Sequence, residues 1–306
     1  MTAAMSKKLS QDFISFLTFA GIGYWIASLL PALVGTTLPF WLCPPGFSFR
    51  FPAAIEFLLA ALLFHAGFAF LLSMFEGRAT STWPKQRLLK YSGVCIAAAC
   101  LLGLHLNSGL TLHDGVPRSL FIIYGLVTLF VGALYVIPPL NFHQRMGGEI
   151  VVAEGLGMIP VLGAYLVQVG DITRTVYLAS LPLIVATGLW VWMEELASSS
   201  DDEKTGRRTL VIEFGVKFSA RFGVLALAAA FLGALIVAVI SASTSPWTLI
   251  ALLLTVPLMK IAIVSWKEHA HPERMIPPMR YAVVLHLVTG LILAASSLVT
   301  QLQKAV

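Results

Sequence analysis

Two short stretches of this 306-residue chain carry oxygen-bearing side chains at a helical spacing. Glu195, Ser198 and Asp202 fall at i, i+3 and i+7, and Ser73, Glu76 and Thr80 repeat the pattern. Residues so spaced share one face of a helix. Charge is dense around both sets. Glu194, Glu195, Asp201, Asp202 and Glu203 are followed by Lys204, Arg207 and Arg208, and Glu76 is followed by Arg78, Lys85, Arg87 and Lys90. Two such faces turned into one cavity, ringed by Lys and Arg, meet the needs of a Mg2+–diphosphate headgroup. Mg2+ takes one or two carboxylates and completes its shell with phosphate oxygens and water, while basic side chains neutralise the remaining charge. A solvated acidic–basic cap between two helices would show the same composition, so spacing alone leaves both readings open.

The elements that must position these residues follow from composition. The chain is 58% hydrophobic and 11% charged, against roughly 25% charged residues in soluble domains. That excludes an ordinary soluble enzyme and a disordered chain. Three cysteines cannot make a disulfide framework, and Cys43, Cys95 and Cys100 read as packing residues. A membrane-crossing helix needs about 20 mostly apolar residues. Nine runs qualify: 13–42, 53–75, 88–108, 118–138, 149–170, 174–196, 217–242, 246–266 and 278–302. The pattern predicts an all-α polytopic membrane protein, a single domain over 1–306. Pro31 and Gly35 predict a kink or tilt in the first span. The fifth span is the weakest of the nine as an apolar run, because Glu149 and Glu154 sit near its start among several glycines. No cleavable signal peptide is expected, because the first run is too long for one.

Basic residues orient the spans. With a cytoplasmic N-terminus, fifteen of the twenty Lys and Arg fall on the inner side, beginning with Lys7 and Lys8. Arg50, Arg118, Arg174 and Lys304 fall outside, and Lys260 lies within span eight. This bias explains the net charge of +5 by topology. It removes the reason to invoke nucleic acid and places the protein in the inner (plasma) membrane. Ionisable groups inside spans are costly and draw functional suspicion. Glu56 and Glu154 sit near span ends, and Lys260 is expected to snorkel or pair with an acid. His65 is compatible with the Ser73–Glu76 face, although a lone intramembrane His is more often a hydrogen-bonded packing residue.

Three further stretches carry a family resemblance. Tyr135-x-x-Pro138-Pro139-Leu140, then Arg145 and Gly147-Gly148-Glu149, follows span four. Leu162-Gly163-x-Tyr165-x-x-Gln168-x-Gly170 closes span five. Asp202-x-x-x-Gly206-x-Arg208-Thr209-Leu210, then Phe214-Gly215, follows span six. In order and spacing these resemble the UbiA superfamily of intramembrane prenyltransferases, in its menaquinone-pathway branch that prenylates 1,4-dihydroxy-2-naphthoate. The resemblance implies nine helices around a central cavity, with Mg2+ held between two Asp-rich motifs. It implies transfer of a polyprenyl group from a polyprenyl diphosphate to an aromatic or other lipophilic acceptor, within the bilayer, by ionisation of the allylic diphosphate.

Matched to that pattern, the first motif here reads Ala69, Leu72, Ser73, Glu76 and Thr80, where only Glu76 keeps a carboxylate. In the second, Ser198 stands at an Asp position and Asp202 remains. The expected metal ligands are therefore Glu76, Glu195, Asp201 and Asp202. Arg78, Lys85, Arg145, Lys204, Arg207 and Arg208 are the expected diphosphate ligands, with Asp202 and Tyr135 in catalysis, Tyr135 beside the reacting carbon. The missing carboxylates motivate an alternative, a non-catalytic relative that binds an isoprenoid or quinone or supports a partner. A transporter ranks last, because no inverted repeat is evident.

Overall fold

The computed structural model describes residues 14–44, 46–110, 112, 116–117 and 119–305; Lys7, Lys8 and Arg118 lie outside them. Among the described residues nine helices are long and apolar enough to cross a membrane: α1 (Ile22–Leu42), α2 (Phe51–Phe75), α3 (Lys85–Ser108), α4 (Ser119–Val136), α5 (Gly148–Val169), α6 (Arg174–Thr205), α7 (Val216–Ile240), α8 (Pro246–Glu268) and α9 (Pro272–Gln303). Helices apolar on every side have no polar face to give to water, so the bilayer must solvate them. Leu101, Phe130, Ile240 and Leu253 point outward and are each more than 60% exposed, as lipid-facing residues should be.

The helices do not share burial equally. The most apolar window of α6 is 67% buried and that of α4 only 11%. Helix α6 packs against α5, α7 and α9 and forms the inner wall, whereas α4 stands at the rim. Lipid tails are as apolar as leucine, so close contact rather than hydrophobicity must hold such helices together. At Gly35 in α1, a Cβ would stand 2.1 Å from the Val161 carbonyl oxygen of α5. Only glycine permits that approach.

One local expectation is corrected and two gain detail. Helix α1 is continuous through Pro31 over Ile26–Thr37, with a 3-10 turn before it (Ile22–Tyr24) and a new helical stretch from Pro39 after it. Among the described residues Lys260 forms no ion pair with an acid; its ammonium lies 5.7 Å from the centre of the Tyr281 ring, a cation–π contact. The two oxygen-bearing faces also differ. Helix α6 continues past 196 to Thr205, because Glu, Ala and Lys favour helix and the first breaker is Gly206 at φ 74. The Glu195–Ser198–Asp202 face therefore exists. Helix α2 stops at Phe75 with Glu76 as its cap, so Thr80 falls in the loop and its predicted face is incomplete. Thr80 instead accepts a bond from the Trp83 amide at 3.1 Å and holds the turn into α3.

Candidate active site

A cavity of about 740 Å³ opens among α1, α2, α3, α4, α5 and α6. One end is charged, where the loops after α2, α4 and α6 meet. Glu76, Arg78, His143, Glu194, Glu195 and Arg207 line it there. The other end continues between Phe57, Leu106 and Phe121. Phe57 and Ser73 both line it from α2, sixteen residues apart, so it runs roughly 24 Å along the helix.

The loops are tied together before any ligand arrives. Arg207 bonds Asp202 Oδ1 at 2.8 Å and the His143 carbonyl oxygen at 2.7 Å, joining the end of α6 to the loop after α4. Ser198 donates to Asp202 Oδ2 at 2.9 Å. Asp202 is thus fully engaged and 3% exposed, and it stands behind Arg207 rather than on the cavity wall. Glu149 accepts from the Leu210 amide at 2.5 Å and the Gly147 amide at 3.1 Å. Its place after Gly147-Gly148 is that of a clamp between two loops. Gln168 bonds both the amide and the carbonyl of Arg50 at 3.0 and 3.1 Å, a second clamp at the opposite end of the bundle.

On the α2 side, Arg78 approaches Glu76 Oε2 at 2.6 Å, and His143 Nε2 stands 3.7 Å from Oε1. Burial pushes the Glu76 carboxyl above the ordinary carboxylate range, and Arg78 and Arg207 pull it partway back. Burial, then the nearby Arg207, drive His143 down to about 4, which leaves the imidazole neutral at physiological pH. The rings of Tyr135 and His143 are 5.9 Å apart, and Tyr135 faces the charges of Glu76, Glu194, Glu195 and Arg207. Tyr24 donates to Glu194 and stacks on Trp190, with ring centres 5.6 Å apart and planes 8° from parallel.

The structure therefore brings Glu76, Arg78, Tyr135, Glu195 and Arg207 to one cavity and leaves the other expected residues off its wall. Asp201 pairs with Lys204 at 3.0 Å on the surface, and Arg208 with Glu213 at 2.5 Å. Lys85 and Arg145 are exposed. The Arg208 amide bonds the Gln144 carbonyl at 3.0 Å, so the Arg145 and Arg208 segments run side by side outside the cavity. His143, Tyr24 and Trp190 escaped the sequence reading. Trp190 was findable, since it precedes Glu194 by one turn on the same face; His143 carried no pattern.

Among the described residues no three His, Cys, Asp or Glu side chains form a ready-made metal site. The donor set still suits a cation that arrives with its ligand. Both Glu76 and Glu195 line the cavity; Glu195 Oε2 is a buried acceptor without a hydrogen-bond partner, and Glu76 Oε2 faces the Arg78 guanidinium at 2.6 Å. Carboxylates alone repel a diphosphate, so a divalent cation between them balances the charge.

No family model matches the chain. A 1,4-dihydroxy-2-naphthoate octaprenyltransferase of Bacillus subtilis (strain 168) is 26% identical over 178 residues, 58% of this chain and 57% of that protein. The chain thus matches a little over half the length of this relative. Among solved structures, a digeranylgeranylglyceryl phosphate synthase superimposes with a TM-score of 0.64 at 12% identity, over 94% of this chain and 99% of its own. A UbiA homolog from Archaeoglobus fulgidus bound to Cd2+ does so with a TM-score of 0.60 at 14% identity, over 92% and 99%. The same homolog bound to GPP and Mg2+ gives 0.55. Backbone and shared sequence agree: the chain takes the same fold as these solved structures, with nine helices among the described residues long and apolar enough to cross a membrane, around a central cavity.

Proposed function

We propose that the protein is an intramembrane prenyltransferase that moves a polyprenyl group from its diphosphate to an aromatic quinone precursor. One observation carries this reading: carboxylates and guanidiniums from separate loops meet at the mouth of a cavity that becomes an apolar tube inside the bilayer. A substrate with a charged head and a long hydrocarbon tail matches that division. The UbiA homolog solved with GPP and Mg2+ and the naphthoate octaprenyltransferase support it. The positive-inside bias supports a charged mouth at the cytoplasmic face of the membrane.

Arg78 and Arg207 bind the diphosphate, and Asp202 acts through Arg207 as a positioning residue. Lys85, Arg145, Lys204 and Arg208 form an outer positive field that draws the anion in. Mg2+ held by Glu76 and Glu195 would neutralise charge on the departing diphosphate. The allylic C–O bond breaks with its electron pair going to the diphosphate, and a ring carbon of the acceptor supplies the pair for the new C–C bond. Glu194, held by Tyr24, takes the proton that the ring then loses. The Tyr135 ring faces the allylic cation and stabilises it through its π face. The apolar tube keeps water from that cation.

The test is purified protein in lipid vesicles with geranyl diphosphate, 1,4-dihydroxy-2-naphthoate and Mg2+. Prenylated naphthoate and free diphosphate are expected, both abolished by a chelator. Neither product, together with no Mg2+-dependent thermal stabilisation by an unreactive prenyl diphosphate analogue, would favour a non-catalytic isoprenoid- or quinone-binding relative. The engagement of both Asp202 oxygens by Arg207 and Ser198 is what keeps that second reading in view.

A further inference from the structure

Between the charged mouth and the apolar tube lies a section of cavity wall that a prenyl tail has no use for. Gly21, Tyr24 and Ser28 reach it from α1 and the turn before it, His65 and Ala69 from α2, and Trp190 from α6. Ser28 Oγ and His65 Nδ1 are 2.5 Å apart. If Ser28 donates, the ring proton sits on Nε2; if it accepts, Nε2 is the free acceptor. In both cases Nε2 is a polar atom that no described residue bonds, deep between membrane-crossing helices. A hydrocarbon tail offers it nothing, and leaving it unbonded is costly.

The space around it suits a flat ring. Gly21, His65 and Ala69 all line the cavity, and a Cβ on Gly21 would press on Ala69 Cβ at 3.0 Å and His65 Nε2 at 3.3 Å, so glycine there leaves the edge of the imidazole uncovered. The parallel Tyr24 and Trp190 rings form another part of the same wall. The Tyr24 hydroxyl, bonded to Glu194, connects this section to the charged mouth. His65 lies eleven residues from Glu76 along α2, roughly 16 Å of rise. That leaves room for a diphosphate at the carboxylates and one ring system beyond it.

We infer that this section is the acceptor slot, in which Tyr24 and Trp190 face a planar aromatic ring and His65 Nε2, oriented by Ser28, bonds an oxygen substituent on it. The inference rests on the prenyltransferase reading and deepens it by naming what selects the second substrate. Such a bond rejects ring analogues lacking the oxygen, because the imidazole would then be left unpaired.

Two measurements on His65→Leu, His65→Gln and Ser28→Ala test it in lipid vesicles, with thermal unfolding confirming that each variant folds. The first is quenching of tryptophan fluorescence by 1,4-dihydroxy-2-naphthoate without any prenyl donor. The second is the pair of KM values for naphthoate and geranyl diphosphate. His65→Leu should weaken naphthoate binding and raise its KM by about tenfold or more, leaving the KM for geranyl diphosphate unchanged. His65→Gln, which keeps a polar tip, should recover part of the loss, and Ser28→Ala should fall between wild type and His65→Leu. Unchanged naphthoate binding in His65→Leu would overturn the slot, as would equal loss for both substrates. A wild-type protein that binds naphthoate through His65 yet transfers nothing would sink the transferase reading and leave the slot standing.

Discussion

Asp202 and Arg207 form a 2.8 Å ion pair in which the carboxylate is buried and the guanidinium still reaches the cavity wall. The pair spans the end of α6, where Gly206 reverses the chain, and so presents Arg207 to whatever anion enters the mouth. Removing the acid would leave a half-buried guanidinium without its partner. Asp202→Asn should cost about 3 kcal/mol of stability. The double variant Asp202→Asn with Arg207→Met should cost less than the sum of the two single changes. Thermal unfolding of the four proteins in one detergent reads the coupling directly; strict additivity would mean that the pair does not act as a unit.

Glu149 is the second point at which separate loops are joined, through the Leu210 and Gly147 amides. Glu149→Ala leaves two part-buried donors without this partner, at up to about 1–3 kcal/mol each. Faster hydrogen exchange is expected over 206–215 and 141–148, with the α1–α5 contact at Gly35 unaffected. Exchange that rises uniformly through the bundle would argue against a local clamp.

These two contacts also show where sequence reading stops. The nine spans were legible, because apolar runs of sufficient length leave the bilayer as the only solvent. The continuation of α6 to Thr205 was conditional in the sequence, and Gly206 settles it. The end of α2 was different. Glu76 and Gly77 turn the chain, and a spacing rule that assumed unbroken helix carried Thr80 onto a face it never joins. Spacing also cannot separate Asp201 from Asp202. One turns to solvent and Lys204, the other inward to Arg207, and only packing around α6 decides which. His143 lay beyond any pattern, since its role comes from a loop folding back between Tyr135 and Arg207.

His143 makes stability depend on pH. Its folded value is near 4 and its ordinary value 6.5. Between these values the unfolded chain binds a proton that the folded protein refuses, so stability falls as pH drops from 6.5 towards 4. His143→Gln should flatten the dependence in that window and leave the slope above pH 7 unchanged. Melting temperatures at half-unit pH steps supply the comparison. An unaltered slope in the variant would assign the titration to another group.

Glu76 is the acid that the first loop keeps where Ser73 and Thr80 offer only hydroxyls, and its buried Oε2 faces Arg78 at 2.6 Å. Its carboxyl is held above the ordinary range by burial, so protons should compete with a cation for it as pH falls. Glu76→Gln removes the charge while preserving shape and should raise the Mg2+ concentration needed for half-maximal stabilisation by a prenyl diphosphate analogue by about tenfold or more. Thr80→Val, at a residue that serves the turn through the Trp83 amide, should leave that concentration unchanged while lowering the melting temperature slightly. Restoring a carboxylate with Ser73→Asp places a second acid one turn from Glu76, and should lower the Mg2+ requirement of the wild type. The three variants, titrated with Mg2+ at pH 7.5 and again at 5.5, distinguish a cation held by Glu76 from one held elsewhere. A Mg2+ requirement indifferent to Glu76→Gln at both pH values would remove this residue from the metal site.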